Sequence, residues 1–112
     1  MLSKKNRITK KKDFERIFKK GTGFKEKFLL LKVVLNHLKI NRFAFIVSQK
    51  VSKKASIRNK IKRQLRELIK QKTNEIKQGT DGVFIVLPGL EEKSFSEIKE
   101  ILNNLLRKAK LI

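Results

Sequence analysis

The sequence has no cysteine, tryptophan or tyrosine, and a single histidine, proline and methionine. Without cysteine there is no disulfide, no thiolate metal site and no thiol nucleophile, so the chain is indifferent to the redox state of its compartment. One histidine, His37, in a turn region, cannot supply the acid and base that phosphodiester hydrolysis by side chains asks for near neutral pH. Carboxylates are scarce too: 10 Asp+Glu stand against 30 Lys+Arg in 112 residues, a formal charge of +20. They are scattered, and the adjacent Glu91 and Glu92 read as solvated loop charges rather than as a metal pair. No glycine-rich phosphate loop precedes a helix. No apolar run approaches the roughly 20 residues that span a bilayer, and the basic start, Met1 to Lys12, is not followed by an apolar block. Secretion and membrane spanning are not expected, and the cytoplasm is the default address.

What is present is positive charge, unevenly placed. Residues 1–72 hold 24 basic and 4 acidic side chains, whereas residues 73–112 hold 6 of each. Charge of one sign on that scale repels itself, and a polyanion relieves the repulsion by exchanging its condensed counterions for Lys and Arg. Nucleic acid is therefore the leading partner, ahead of an anionic membrane surface or an acidic protein. A lysine-rich genome would not leave residues 73–112 neutral.

The apolar fraction, 39%, is enough for a modest core, because the apolar residues recur with regular periods. Phe14, Ile17 and Phe18 follow helical spacing and Gly21 stands at the stop, which predicts a first helix over Lys11 to Lys20. Phe28 to Leu35 and Arg42 to Ser48 read as strands, expected to pair as a hairpin across Asn36 to Asn41. Ile57, Ile61, Leu65, Leu68 and Ile69 make a helical stripe running to about Lys72, with Ser56 as its expected N-cap. Val83 to Leu87, stopped by Pro88-Gly89, reads as a strand buried on both faces, reached by a crossover helix and so parallel to a neighbour. Ser94 and Glu97 form a capping box for a last helix through Leu106. The fold class is α/β: a small two-layer α/β sandwich in the order α-β-β-(β)-α-β-α, the bracketed strand being a short one around Gln49 to Ser52. Nothing divides the chain, so residues 1–112 read as one RNA-binding domain.

On a helical wheel, Arg58, Asn59, Lys62, Arg63, Arg66 and Lys70 spread over the faces beside the apolar stripe, with Lys60 further round and Glu67 the one acid. Arg58, Lys62 and Arg66 stand at i,i+4, where like charges repel by a few tenths of a kcal/mol per pair. An external anion relieves that repulsion. Arginine grips two phosphate oxygens at once and lysine acts as a mobile point charge. The lead-in lysines Lys50, Lys53 and Lys54, the hydroxyls of Ser52 and Ser56 and the free N–H groups of the helix start add a corner suited to phosphate.

The run Arg58-Asn59-Lys60-Ile61-Lys62-Arg63 on this helix, with Val47-Ser48-Gln49-Lys50 ahead of it, resembles the signature of the protein subunit of bacterial ribonuclease P. Asp13-Phe14-Glu15-Arg16-Ile17-Phe18-Lys19-Lys20-Gly21 is similar to that family's opening pattern. Lys60 stands where the family has a second arginine, Gln49 where it has a lysine, Ala44 where it often has glycine, and Leu87-Pro88 where an arginine is common. The resemblance implies a left-handed β-α-β crossover, against the usual rule. It implies that the basic helix docks on the catalytic ribonuclease P RNA, whose bound Mg²⁺ serves the hydrolysis, so that no catalytic or metal-ligating residue is expected in the polypeptide. It also implies that a cleft between the first helix and the sheet takes the single-stranded 5′ leader of precursor tRNA.

By position in that resemblance, Phe14, Phe18, Leu29 and Leu31 line the cleft. Phe45, which shares a strand face with Phe43 and Val47, faces the same choice between cleft and core. Aromatic rings flanked by Lys10, Lys11, Lys19 and Lys20 suit unpaired bases of any sequence, although phenylalanines one turn apart serve equally well as core. The competing reading is a ribosomal or other structured-RNA-binding protein without a processing role. A helix-turn-helix regulator lacks its tight helix pair here.

Overall fold

The computed structural model describes residues 4–112, so the first residues of the basic start, 1–3, lie outside it. A 3-10 turn over Lys4–Asn6 leads into α1 (Lys11–Lys20), β1 (Thr22–Glu26), β2 (Leu29–Leu35) and β3 (Arg42–Val47). Then come α2 (Ala55–Gln71), β4 (Thr80–Val86), a second 3-10 turn (Leu90–Glu92) and α3 (Phe95–Lys108). The strands form one sheet in the order β1-β2-β4-β3, antiparallel except for the pair β3 and β4, which α2 connects in parallel.

The hairpin expected between β2 and β3 does not form, because β4 lies between them. β4 is apolar on both faces, with Val83 and Phe84 fully buried, and the centre of a covered sheet is where such a strand loses least. The 36–41 connection is fastened to the start of β4 instead of turning tightly. The Asn36 backbone N–H donates to the Gly79 carbonyl at 2.8 Å, and the Thr80 N–H donates to Asn41 Oδ1 at 3.0 Å. No strand forms at residues 49–52, where the Val51 N–H closes a turn onto the Ser48 carbonyl at 3.1 Å. The additional strand is β1, a polar edge strand whose residues are mostly exposed and so give little period-2 signal.

Alternation sends the two faces of the sheet to different partners. Leu29, Leu31, Phe43, Phe45, Val47, Phe84 and Val86 meet Ile61, Leu65, Leu68 and Ile69 of α2 and Ile98, Ile101, Leu102, Leu105 and Leu106 of α3 in one core. On the opposite face α1 inserts Ile17 into a smaller cluster with Ile8, Ala44 and Val83. Gly21 ends α1 with ordinary φ of −74°. Glycine is needed there for closeness, since a Cβ would run into the Ile17 carbonyl and come within 3.1 Å of the Val33 carbonyl oxygen.

The capping box of α3 is complete: the Glu97 N–H donates to Ser94 Oγ at 3.2 Å and the Ser94 N–H to Glu97 Oε1 at 3.1 Å. Ser94→Ala is expected to lower unfolding free energy by about 1 kcal/mol in a urea titration. A loss near zero would show that packing of α3 makes the cap redundant.

Candidate nucleic-acid interface

α2 buries Ile61, Leu65, Leu68 and Ile69 and leaves the rest of its surface to cations. Asn59, Lys60, Arg63 and Lys70 are exposed, and Arg58, Lys62 and Arg66 lie half-buried beside the apolar stripe. The helix begins at Ala55, with Lys54 as N-cap and no side chain bonded across the end. Ser56 therefore sits inside the first turn and does not cap it. Lys50, Lys53 and Lys54 are exposed on the lead-in. That segment is braced from within: Arg58 Nη1 donates to the Ser52 carbonyl at 2.9 Å, and the Lys54 N–H to Ser52 Oγ at 3.2 Å. Arg58 thus shapes the loop that carries the three lysines. Asn59, Arg63, Arg66 and Glu67 line a shallow hollow on the outer face of α2.

β3 is the other edge of the sheet, bridged at Phe43 by Arg7, and Arg66 reaches a second hollow there with Arg7, Ile8, Thr9, Phe14 and residues 43–45 of the strand. The cationic face of α2 and the aromatic face of α1 therefore meet along one edge of the molecule. Phe14 is half-buried against the small cluster under α1, and Phe18, one turn on, is 40% exposed.

Three of the residues expected in the cleft are elsewhere. Leu29 and Leu31 are fully buried, and Phe45 stacks on Phe84 with ring centroids 5.4 Å apart, all on the face covered by α2 and α3. A strand shows alternate residues to opposite faces, so the side of β2 that looks toward α1 carries Leu30, Lys32 and Val34. Leu30 stands beside Ile85 and Ile85 beside Ile46, a half-buried apolar row across the sheet. Lys32 Nζ donates to the Phe18 carbonyl at 3.2 Å, joining strand and helix. Leu30, Lys32, Ile46 and Ile85 were not among the expected cleft residues. Period-2 alternation carries that information only once the face opposite α1 is known.

Not every cation faces outward. Asp81, fully buried on β4, accepts from Arg42 Nε at 2.9 Å and Nη2 at 2.6 Å, from Asn36 Nδ2 at 2.8 Å, and from Arg16 of α1. Asp13 adds a second carboxylate, 3.4 Å from Arg42 Nη1. Burial pushes the Asp81 carboxyl up, but the bonds from Arg42 and Asn36, the Arg42 charge and the Arg16 bond outweigh it and hold its pKa below the usual range. The same bond to Asp81 raises Arg42, against the opposing effect of burial. This network clamps α1 to the sheet and so sets the geometry of the cleft. Lys11 to Glu15, at 3.9 Å between exposed side chains, is a surface pair of little weight.

A basic helix face with an adjoining aromatic cleft defines a nucleic-acid-binding protein. The family model described as Ribonuclease P matches residues 2–110. A ribonuclease P protein component from Alkaliphilus metalliredigens is 36% identical over 107 residues, 96% of each chain. One from Clostridium botulinum (strain 657 / Type Ba4) is 37% identical over 107 residues, 95% of this chain and 96% of that one. Among solved structures, a Staphylococcus aureus RNase P protein mutant with defective mRNA degradation activity superposes with a TM-score of 0.92 at 31% identity, covering 97% of this chain and 92% of that one. The Thermotoga maritima RNase P protein gives 0.83 at 31% identity, covering 91% and 96%. The chain belongs to the ribonuclease P protein component family. It is an RNA-binding protein of tRNA processing, the protein subunit that partners the RNase P RNA.

Proposed function

We propose that α2 and its lead-in dock on the RNase P RNA while the cleft under α1 takes the single-stranded 5′ leader of precursor tRNA. The RNA subunit with its Mg²⁺ carries the bond breaking. The carrying observation is the meeting of the two surfaces along the β3 edge, where Arg66 and Phe14 line one hollow. An RNA seated on α2 would thus hold its cleavage site beside a strand lying in the cleft. The polypeptide contributes electrostatics: its cations neutralise two RNAs that otherwise repel, through Lys50, Lys53, Lys54, Lys60, Lys62, Arg63 and Arg66, while Asn59 adds a hydrogen-bonding amide.

Among the described residues no carboxylates gather in a metal-holding group of three with histidine or one another, and Asp81 is already engaged by guanidinium groups. In the cleft, Phe18 offers a ring to an unpaired base and the row Leu30, Ile85 and Ile46 forms an apolar floor. Such a grip tolerates any sequence because every base has a π-face.

Phe18 is the informative substitution, since its 40% exposure spares the fold. In the holoenzyme, Phe18→Ala is expected to weaken precursor tRNA by about 1–3 kcal/mol, the value of one stacked base, and to leave mature tRNA affinity unchanged. Equal loss for both RNAs would refute the cleft assignment.

A further inference from the structure

A second concavity lies beyond the cleft, at the far end of β2. β1 begins at Thr22, opposite Val33, whereas β2 runs on to Leu35 and beyond that point pairs only with β4. The missing strand leaves a notch of about 370 Å³, within the size range of small-ligand pockets. Phe24, Val33, Leu35, Ala109 and Leu111 supply apolar lining, and Lys20, Lys77 and Lys110 supply charge, with no carboxylate among the lining side chains. Leu35 is 52% exposed and forms part of that apolar lining. The notch is firmly built: the Lys77 N–H donates to the Leu111 carbonyl at 2.8 Å, and the Leu111 N–H to the Leu106 carbonyl at 2.9 Å.

The last of those bonds and Lys110 N–H to the Arg107 carbonyl, 3.0 Å, complete a Schellman ending of α3. Its left-handed position, φ 57°, is where glycine sits without steric cost, yet a lysine stands there. Lys110 also lines the notch.

We infer that the notch seats an unpaired nucleotide of the distal 5′ leader, the base against Leu35 and its apolar neighbours and the phosphate against Lys77 and Lys110. The inference rests on the cleft reading above. α1 supplies Phe18 to the cleft and, two residues on, Lys20 to the notch, and Lys32 ties that end of the helix to β2. The notch opens mainly on the α3 side of the sheet, so a strand leaving the cleft past Phe18 reaches it by turning round the end of β2 that β1 leaves bare, where Lys20 stands. Charge complementarity favours RNA over a protein segment, because the lining cations have no acidic counterpart in the notch.

The test measures binding of precursor tRNA to the holoenzyme with leaders of about 8 and about 16 nucleotides, bracketing the reach of a single-strand surface. Lys110→Gly and Lys77→Gln are each expected to lower long-leader affinity several-fold and to reduce its log–log salt slope by about 0.7. Short-leader affinity stays at the wild-type value. Because glycine relieves the left-handed strain, Lys110→Gly should hold or raise the thermal midpoint, which separates lost binding from lost folding. Leu35→Ala is expected to weaken the long leader without changing the salt slope. Equal effects on both leaders, or none on either, would overturn the notch. Phe18→Ala, measured alongside, should weaken both leaders. If it does so while the notch variants are silent, the notch alone is wrong; if it too is silent, the cleft and the inference built on it fall together.

Discussion

Replacing Asp81 by alanine is expected to cost about 3 kcal/mol of unfolding free energy, the low end of what removing one partner of a buried ion pair costs. The carboxylate is fully buried and receives Arg42 through two nitrogens, Asn36 through one and Arg16 from across the α1 interface. Without it, two guanidinium groups of 20% and 30% side-chain exposure face each other with Asp13 as the nearest compensation. Neither is wholly removed from water, which is why the low end applies. Urea titration would measure the loss, and a change below about 1 kcal/mol would show that the arginines relax to solvent.

The acid dependence has a definite sign. The Asp81 pKa lies below its ordinary value of 3.8, so the stabilisation is fully present above that pH and is lost as pH falls through the lowered value. Asp81→Asn, which keeps the shape and drops the charge, should lose this acid-sensitive part and show a flatter decline below pH 3.8 than the parent. Because the network spans α1, β3, β4 and the 36–41 loop, its loss should also loosen the cleft, and precursor affinity should fall more than affinity for the RNase P RNA.

Removing the cations of α2 is expected to act on a different quantity. Arg63→Ala touches an exposed side chain and should change no folding property, yet each phosphate contact it loses lowers the log–log salt slope for RNase P RNA by roughly 0.7–0.9. Combining Lys62→Ala, Arg63→Ala and Arg66→Ala should remove about 2 to 3 from that slope, so the deficit is large at low salt and shrinks as salt rises. Arg58→Ala belongs in a separate class. Its Nη1 holds the Ser52 carbonyl, so its loss should also disorder the segment carrying Lys53 and Lys54 and weaken binding beyond one contact. A salt-independent loss in the triple variant would mean that α2 does not touch phosphate.

The α2 surface was legible because its information is local. An apolar stripe at 3.6-residue spacing names the buried side of a helix, and whatever stands on the other faces is outward by default, so Lys60, Lys62, Arg63 and Arg66 could be placed without knowing what α2 packs on. The capping box of α3 and the bounds of α1 were readable for the same reason. Arg16 and Arg42 show the limit: as charges they look like the rest, and only Asp81, distant in sequence and brought to them by the sheet, turns them inward.

Strand faces were a different problem. β2 is apolar at nearly every position, so alternation does not reveal which side meets α1, and a one-residue error moves every side chain to the wrong layer. Leu29 and Leu31, given to the cleft by the resemblance, lie instead on the face covered by α2 and α3, and Phe45, given to the cleft as well, stacks on Phe84 in that core while lining the hollow with Phe14 and Arg66. Likewise the notch exists only because β1 starts late against β2, a matter of register between two chains of hydrogen bonds. The amino-acid order by itself determined the periodic elements and the uneven charge, since both depend on neighbours within a turn or two. Which face of the sheet was left open, and what gathered there, followed from β4 taking the centre, because long-range pairing is decided by burying both faces of a strand, and β4 is buried along almost its whole length.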